Sequence, residues 1–249
     1  MNRAVRRLLL ATDAPCFGGA ERDLLDMART ALRRGIDPHV FWTRPPGGAA
    51  DTFRALHEAG IGLTAVPPGG AGSLASLARA FDRVLAAHRP DALIVNASGR
   101  PRFWSLPWLA RRRGISAAWV HHMVEGRDPR RLRPRRLGGR MEGPGLWRVP
   151  QALRHRLAAG AGVVVVSNPH DRQTIARQQT VALPTIRVIP PGVDGDRFAF
   201  DPAGRARLRT AWLGPDGVFW VGTAVRLVPG KGPQRLLAAG ARAPPARGR

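Results

Sequence analysis

VRRLLLATDAPCFGGAERDLLDMARTALRRG, residues 5–35, holds a complete strand–turn–helix unit. The apolar run Val5–Ala11 reads as a strand despite Arg6 and Arg7 near its start. Gly18-Gly19 supplies the turn. From Ala20 to Arg34 the residues Leu24, Leu25, Ala28, Ala31 and Leu32 recur at helical spacing, and Gly35 stops the helix. The unit then repeats. Strands are expected at His39–Thr43, Ile61–Val66, Ala92–Asn96, Ile115–His121, Gly162–Ser167 and Arg187–Ile189. Helices are expected between them, at Thr52–Ala59, Ser73–His88, Arg102–Arg113, Ala152–Ala159 and Pro169–Gln178. The helix Ser73–His88 puts Leu74, Leu77, Phe81, Val84 and Leu85 on one face, and four consecutive valines in Gly162–Ser167 mark a strand buried on both faces. Alternation of this kind predicts an α/β fold, a Rossmann-like parallel sheet with helices on both faces.

The domain organisation follows from where the alternation breaks. Residues 1–190 form the first domain, and 191–216 a connector with one helix, Ala203–Leu213. Residues 217–249 begin a second domain: a strand Val218–Val225, a loop, and a helix Pro233–Gly240. One such β–α unit cannot enclose a core, so an incomplete second Rossmann-like domain is expected.

Composition narrows the class. The chain has 249 residues, 44% hydrophobic and 23% charged, within the range of globular proteins. No apolar run approaches the roughly 20 residues of a membrane span, and Leu8–Ala11 is too short for a signal-peptide core. The single cysteine, Cys16, excludes an internal disulfide and a cysteine-cluster metal site. These features predict a cytoplasmic protein.

The charge is one-sided: 40 basic residues against 17 acidic, a net of +23, with Lys231 as the only lysine. It is also localised. Residues 1–99 carry a net +3, residues 100–158 a net +12 and residues 159–249 a net +8. Arg127–Arg140 alone holds seven arginines among prolines and glycines, a loop suited to anionic lipid headgroups or a phosphorylated ligand. An excess of this size favours anionic partners.

Ligands of doubly wound sheets bind beyond the carboxyl ends of the strands, and three places there stand out. Gly18-Gly19-Ala20-Glu21 leads into a helix N-terminus, where exposed backbone N–H groups and the helix dipole attract anions. His121-His122 ends a strand, where an imidazole can bind a hydroxyl or move a proton. Arg226 and Lys231 flank a Pro-Gly turn and can converge on one anionic group, the first as a planar fork and the second as a point charge.

In this order the segments resemble the retaining GT-B glycosyltransferases of family 4, the group 1 transferases, over most of residues 5–240. Gly18-Gly19-Ala20-Glu21-Arg22 resembles the family's opening motif. Val163–Ser167 with its helix is similar to the last N-terminal strand and its following helix. Val188-Ile189-Pro190-Pro191-Gly192-Val193-Asp194 with Arg197-Phe198 is similar to the linker signature, and Arg226-Leu227 with Lys231-Gly232 to the donor-phosphate motif. The resemblance implies two Rossmann-like domains facing across a cleft. The donor is a nucleotide diphosphate sugar, and the acceptor, a saccharide or lipid-linked saccharide of cell-envelope glycan synthesis, binds mostly to the N-terminal domain. No metal or other cofactor is required. Arg226 and Lys231 would hold the leaving diphosphate, with Gly18 and Gly19 contacting it through backbone N–H groups. His121, with His122 as the alternative, would contact the transferring sugar.

The chain departs from the family pattern at Val225, where glycine is usual, at Gly230, where an acid is usual, and at Pro191, where asparagine is usual. No acidic residue follows Asp216, so the Glu-x7-Glu motif of the family's donor domain is missing. The resemblance therefore implies a C-terminally truncated transferase that is inactive alone or depends on a partner. The alternative is a non-catalytic remnant that binds an acceptor or an anionic membrane, peripheral on the inner face, through Arg127–Arg140. A nicotinamide-dependent oxidoreductase lacks support: no G-x-G-x-x-G follows the first strand, and no acid ends the second at Phe41–Thr43. A nucleic-acid-binding role lacks a recognised module and aromatics interleaved with the arginines.

Overall fold

The computed structural model describes residues 4–13, 18–43, 50–66, 73–96, 103, 105–122, 162–179, 185–213, 221–225 and 231–242. They divide into two compact units, residues 1–192 and 193–249. Cys16, Arg226, the arginine-rich stretch Arg127–Arg140 and the helix expected at Ala152–Ala159 lie outside the described residues.

The first unit alternates strand and helix: β1 (Arg7–Thr12), α1 (Gly19–Arg33), β2 (Asp37–Trp42), α2 (Ala50–Glu58), β3 (Gly62–Ala65), α3 (Leu74–His88), β4 (Ala92–Asn96), α4 (Ser105–Arg111), β5 (Ser116–His121), β6 (Val163–Val166), α5 (Pro169–Gln179) and β7 (Ile186–Val188). The seven strands form one sheet in the order β3-β2-β1-β4-β5-β6-β7. Every ladder is parallel; Leu9, for example, aligns with His39 on one side and Leu93 on the other.

Because side chains alternate across a strand, β1 feeds two cores. Leu9 and Ala11 join Phe41, Leu93, Val95 and Trp119 with Leu77 and Phe81 of α3 and Leu106 of α4. Leu8 and Leu10 join Val40 with Leu24, Leu25 and Ala28 of α1 and Leu56 of α2. At its start β1 is tied to β4, since the Asp91 carboxylate accepts both the Arg6 and Arg7 backbone N–H groups at 2.9 Å.

The helix boundaries have local causes. Ser73 caps α3, its hydroxyl accepting from the Ser76 N–H at 3.1 Å while the Ser73 N–H donates back to the Ser76 hydroxyl. Gly35 and Gly114 take φ of 71° and 72° after α1 and α4, a left-handed turn that costs glycine little.

Several expectations need correction. Leu32 and Leu74 are 40% and 55% exposed, and each lies in a terminal turn of its helix. Val164 and Val166 are buried against Ile175 and Ile186, but Val163 and Val165 are only half-buried, so the described residues enclose β6 fully on one face. In the second unit, residues 221–225 are exposed and unpaired with any strand, in place of the strand expected at Val218–Val225. A strand needs a ladder partner, and none stands beside these residues among those described. The second unit otherwise contains α6 (Pro202–Leu208), which continues as a π-helical turn over Arg209–Leu213, and α7 (Pro233–Arg242). Asp201 caps α6, accepting from the Gly204 N–H at 2.9 Å. No helix among the described residues is long and apolar enough to cross a membrane.

One buried polar cluster stands out in the first unit. The His39 ring on β2 stacks on His88 at the end of α3, with centroids 3.4 Å apart, and bonds the Thr64 hydroxyl of β3 at 2.8 Å. Burial, reinforced by the nearby His88, lowers the His39 pKa to about 4. Gly62 makes room for this ring, since a Cβ there would lie 2.4 Å from His39 Nδ1. Gly62→Ala is therefore expected to destabilise the chain by about 1–3 kcal/mol, read as a lower urea midpoint.

The same ring makes stability pH-dependent. Unfolded His39 binds a proton near pH 6.5 and the folded ring only near 4, so the unfolded state holds more protons between those values. The contribution is complete above pH 6.5 and falls as pH drops towards 4. Acidification from pH 7 to 4.5 is expected to cost about 2.5 kcal/mol through this group. Urea titrations at the two pH values should show a smaller acid loss in His39→Asn; an identical loss in both proteins would refute the assignment.

Candidate active site

After β1 the chain builds outward to β2 and β3, and after β4 it builds the other way. In doubly wound sheets ligands bind at such a reversal, beyond the carboxyl ends of the strands, here β1 and β4. The strands carry apolar residues through the sheet and polar ones at these ends. Thr12 ends β1 and Asp13 follows it, each almost fully buried. Asn96 ends β4, His121 ends β5 and His122 follows it.

Gly18 is the N-cap of α1, in extended conformation. Its N–H donates to the Glu21 carboxylate at 3.0 Å, so an acid of the same turn takes the first amide. Glu21 is itself buried. Gly19 is exposed, and a Cβ there would meet nothing within 4 Å. The backbone of the first turn, whose N–H groups have no acceptor within the helix, is thus approachable from outside at Gly19.

His122 reaches back to this helix. Its Nδ1 lies 3.3 Å from Asp23 Oδ2 on α1, and its Nε2 is hydrogen-bonded to Asn96 Oδ1. Asn96 in turn donates from Nδ2 to the Ala20 carbonyl at 2.9 Å. Burial lowers the His122 pKa from its usual value, and the charge and hydrogen bond of Asp23 oppose that shift. His121 is half-buried with its ring 5.8 Å from that of Trp119. The structure therefore gathers Gly18, Gly19 and His122 around one helix start. Sequence reasoning missed Asn96 and Asp23, which join them. The signal available was a lone amide closing the apolar strand Ala92–Asn96.

The cationic pair is placed differently. Lys231 lies in the second unit, exposed, two residues before α7. Among the described residues no three His, Cys, Asp or Glu side chains cluster as a metal site. A groove of about 700 Å³ lies at the opposite, amino ends of the strands, lined by Arg7, Asp82, Arg89, Asp91 and Arg113. Its acids are committed: Asp82 pairs with Arg113 at 2.5 Å, and Asp91 holds the backbone of β1. The groove is remote from the strand-end site.

The parallel sheet, its switch point and the glycine-led helix define a Rossmann-like domain of the GT-B glycosyltransferase type. The sequence matches Glycosyltransferase Family 4 over residues 17–197, and the chain belongs to that family. Similar solved structures include Anabaena HepE in complex with UDP and glucose, at 22% identity and a TM-score of 0.69, covering 97% of this chain and 59% of that one. A glycosyltransferase from Rickettsia africae aligns at 14% identity and a TM-score of 0.62, covering 84% and 50% of the two chains. The apo lipopolysaccharide outer core galactosyltransferase WaaB aligns at 12% identity and a TM-score of 0.50, covering 76% of this chain and 46% of that one. The chain thus spans about half to three-fifths of the length of these structures, whose likeness at such identities is one of fold. No curated protein sequence matches it.

Asn96→Ala removes the partner of both the Ala20 carbonyl and His122 Nε2. Urea unfolding is expected to show a loss of about 1–3 kcal/mol, whereas an unchanged midpoint would mean that water replaces the amide without cost.

Proposed function

We propose that this chain is the acceptor-side part of a retaining glycosyltransferase. The donor is a nucleotide diphosphate sugar and the acceptor a saccharide or lipid-linked saccharide of the cell envelope. The observation that carries the reading is the convergence of the Gly18-Gly19 helix start with Asn96 and His122 at the sheet's switch point, in a chain of family 4. HepE, the structural relative solved with UDP and glucose, supports the donor class.

The chemistry follows from charge. As the sugar leaves, negative charge grows on the diphosphate, and fixed donors that meet it lower the barrier. On this reading Arg226 and Lys231 supply cations, and Gly18 and Gly19 supply backbone N–H groups at the start of α1. His121, with His122 as the alternative, contacts the transferring sugar. The nucleophile is an acceptor hydroxyl, so the protein forms no covalent bond. On this reading the reaction calls for no metal or other cofactor, because the cations of the chain stabilise the leaving group. Arg127–Arg140 would hold the acceptor side against an anionic membrane surface at the cytoplasmic face when the acceptor is lipid-linked.

UDP is expected to raise the melting temperature of the chain and NAD to leave it unchanged. Lys231→Ala should weaken UDP binding about tenfold in calorimetry, the loss of one charge-assisted contact. Stabilisation by NAD alone would overturn the transferase reading.

A further inference from the structure

The groove at the amino ends of the strands, about 700 Å³, has the size of a small-ligand site, and the proposed reaction does not use it. Among the described residues three arginines from three elements line it: Arg7 of β1, Arg89 after α3 and Arg113 after α4. Its two acids are engaged. Asp82 pairs with Arg113, and Asp91 accepts the backbone N–H groups of Arg6 and Arg7. Arg7 and Arg89 form no ion pair among the described residues.

Arg89 is held in an unusual backbone conformation. Its φ is 45° and its ψ 57°, and it is the only residue other than glycine with positive φ among those described. At the ends of α1, α2 and α4 the same left-handed turn is made by Gly35, Gly60 and Gly114. Glycine adopts this turn readily, whereas a Cβ crowds it. At α3 the fold accepts that crowding and gains a guanidinium at the groove. The backbone is fixed on both sides of it. His88 stacks on the buried His39, the Arg89 N–H donates to the Leu85 carbonyl at 2.9 Å, and the buried Pro90 leads into Asp91.

Helix carboxyl ends carry partial negative charge, which nearby arginines offset. That accounts for a cation at the ends of α3 and α4, but not for Arg7, which starts a strand, where no such dipole stands. We propose that the groove is a binding site for a small phosphate-bearing anion, held by the guanidinium groups of Arg7 and Arg89, with Arg113 kept beside them by Asp82. A planar guanidinium fork matches two phosphate oxygens. The helix ends here present carbonyls and not amides, so side chains alone carry the recognition. The site is separate from the donor reading above, since Gly19 and His122 stand at the opposite ends of the strands.

Calorimetry and amide NMR with inorganic pyrophosphate test the site in the full chain at physiological ionic strength. Pyrophosphate is expected to move the amide signals of Gly114 and Ser116, which line the groove. Arg89→Gly keeps the left-handed turn while removing the side chain, so the fold is retained. Affinity is expected to fall about tenfold in this variant, and about tenfold in Arg7→Gln, each the loss of one charge-assisted contact. Arg111→Gln removes the same charge from the exposed surface of α4 outside the groove, and is expected to change affinity by less than about twofold. An equal loss in Arg111→Gln would mean diffuse surface charge and overturn the site. Unmoved Gly114 and Ser116 amides would overturn it as well, including the case in which only Gly18 and Gly19 respond. Binding to phosphatidylglycerol vesicles without binding to free pyrophosphate would replace the small anion by a lipid surface and overturn the proposal.

Discussion

The structure depends on β1, a six-residue strand hydrogen-bonded on both edges and covered on both faces. Its parallel ladders to β2 and β4 leave no edge open, and its alternating side chains divide between two cores. A parallel strand in this position cannot slip by one residue without exchanging Leu8 and Leu10 for Leu9 and Ala11 across the sheet. The Asp91 carboxylate holds the start of the strand against β4, so the register is secured by backbone hydrogen bonds and by a side chain at the same end.

That constraint creates the site. Every strand of the sheet runs the same way, so all the carboxyl ends come out on one side. The interior is apolar apart from the His39 cluster, and other polar side chains stand where the strands emerge. Thr12 and Asp13, Asn96, and His121 with His122 are brought to one rim by the ladders and by nothing local. The helix α1, seated on the same strands by Leu24, Leu25 and Ala28, brings its first turn to that rim. Asn96 and His122 then join helix to strands through hydrogen bonds. The amino side also has a groove, but its acids are paired with arginine or with backbone.

The chain belongs to Glycosyltransferase Family 4, and its residues divide into two compact units. The glycine-led helix and the histidines belong to the first unit, and Lys231 belongs to the second.

The sequence by itself determined the elements of the first unit. Ala92–Asn96 is a strand over the range read from its apolar run, and α1 and α3 begin and end where glycine and serine signals put them. These features are local: periodicity, caps and turn residues act within a few positions. The histidine pair and the Gly18-Gly19 turn were legible for the same reason, since each stands at the end of a recognisable element. Which side chains of those elements become exposed was not, as Leu32, Leu74 and residues 221–225 show. Only the tertiary structure decided that Asn96, 76 residues from Ala20 and 26 from His122, would join them. Periodicity carries no information about strand order, and it is strand order that turned three separate polar residues into one hydrogen-bonded cluster.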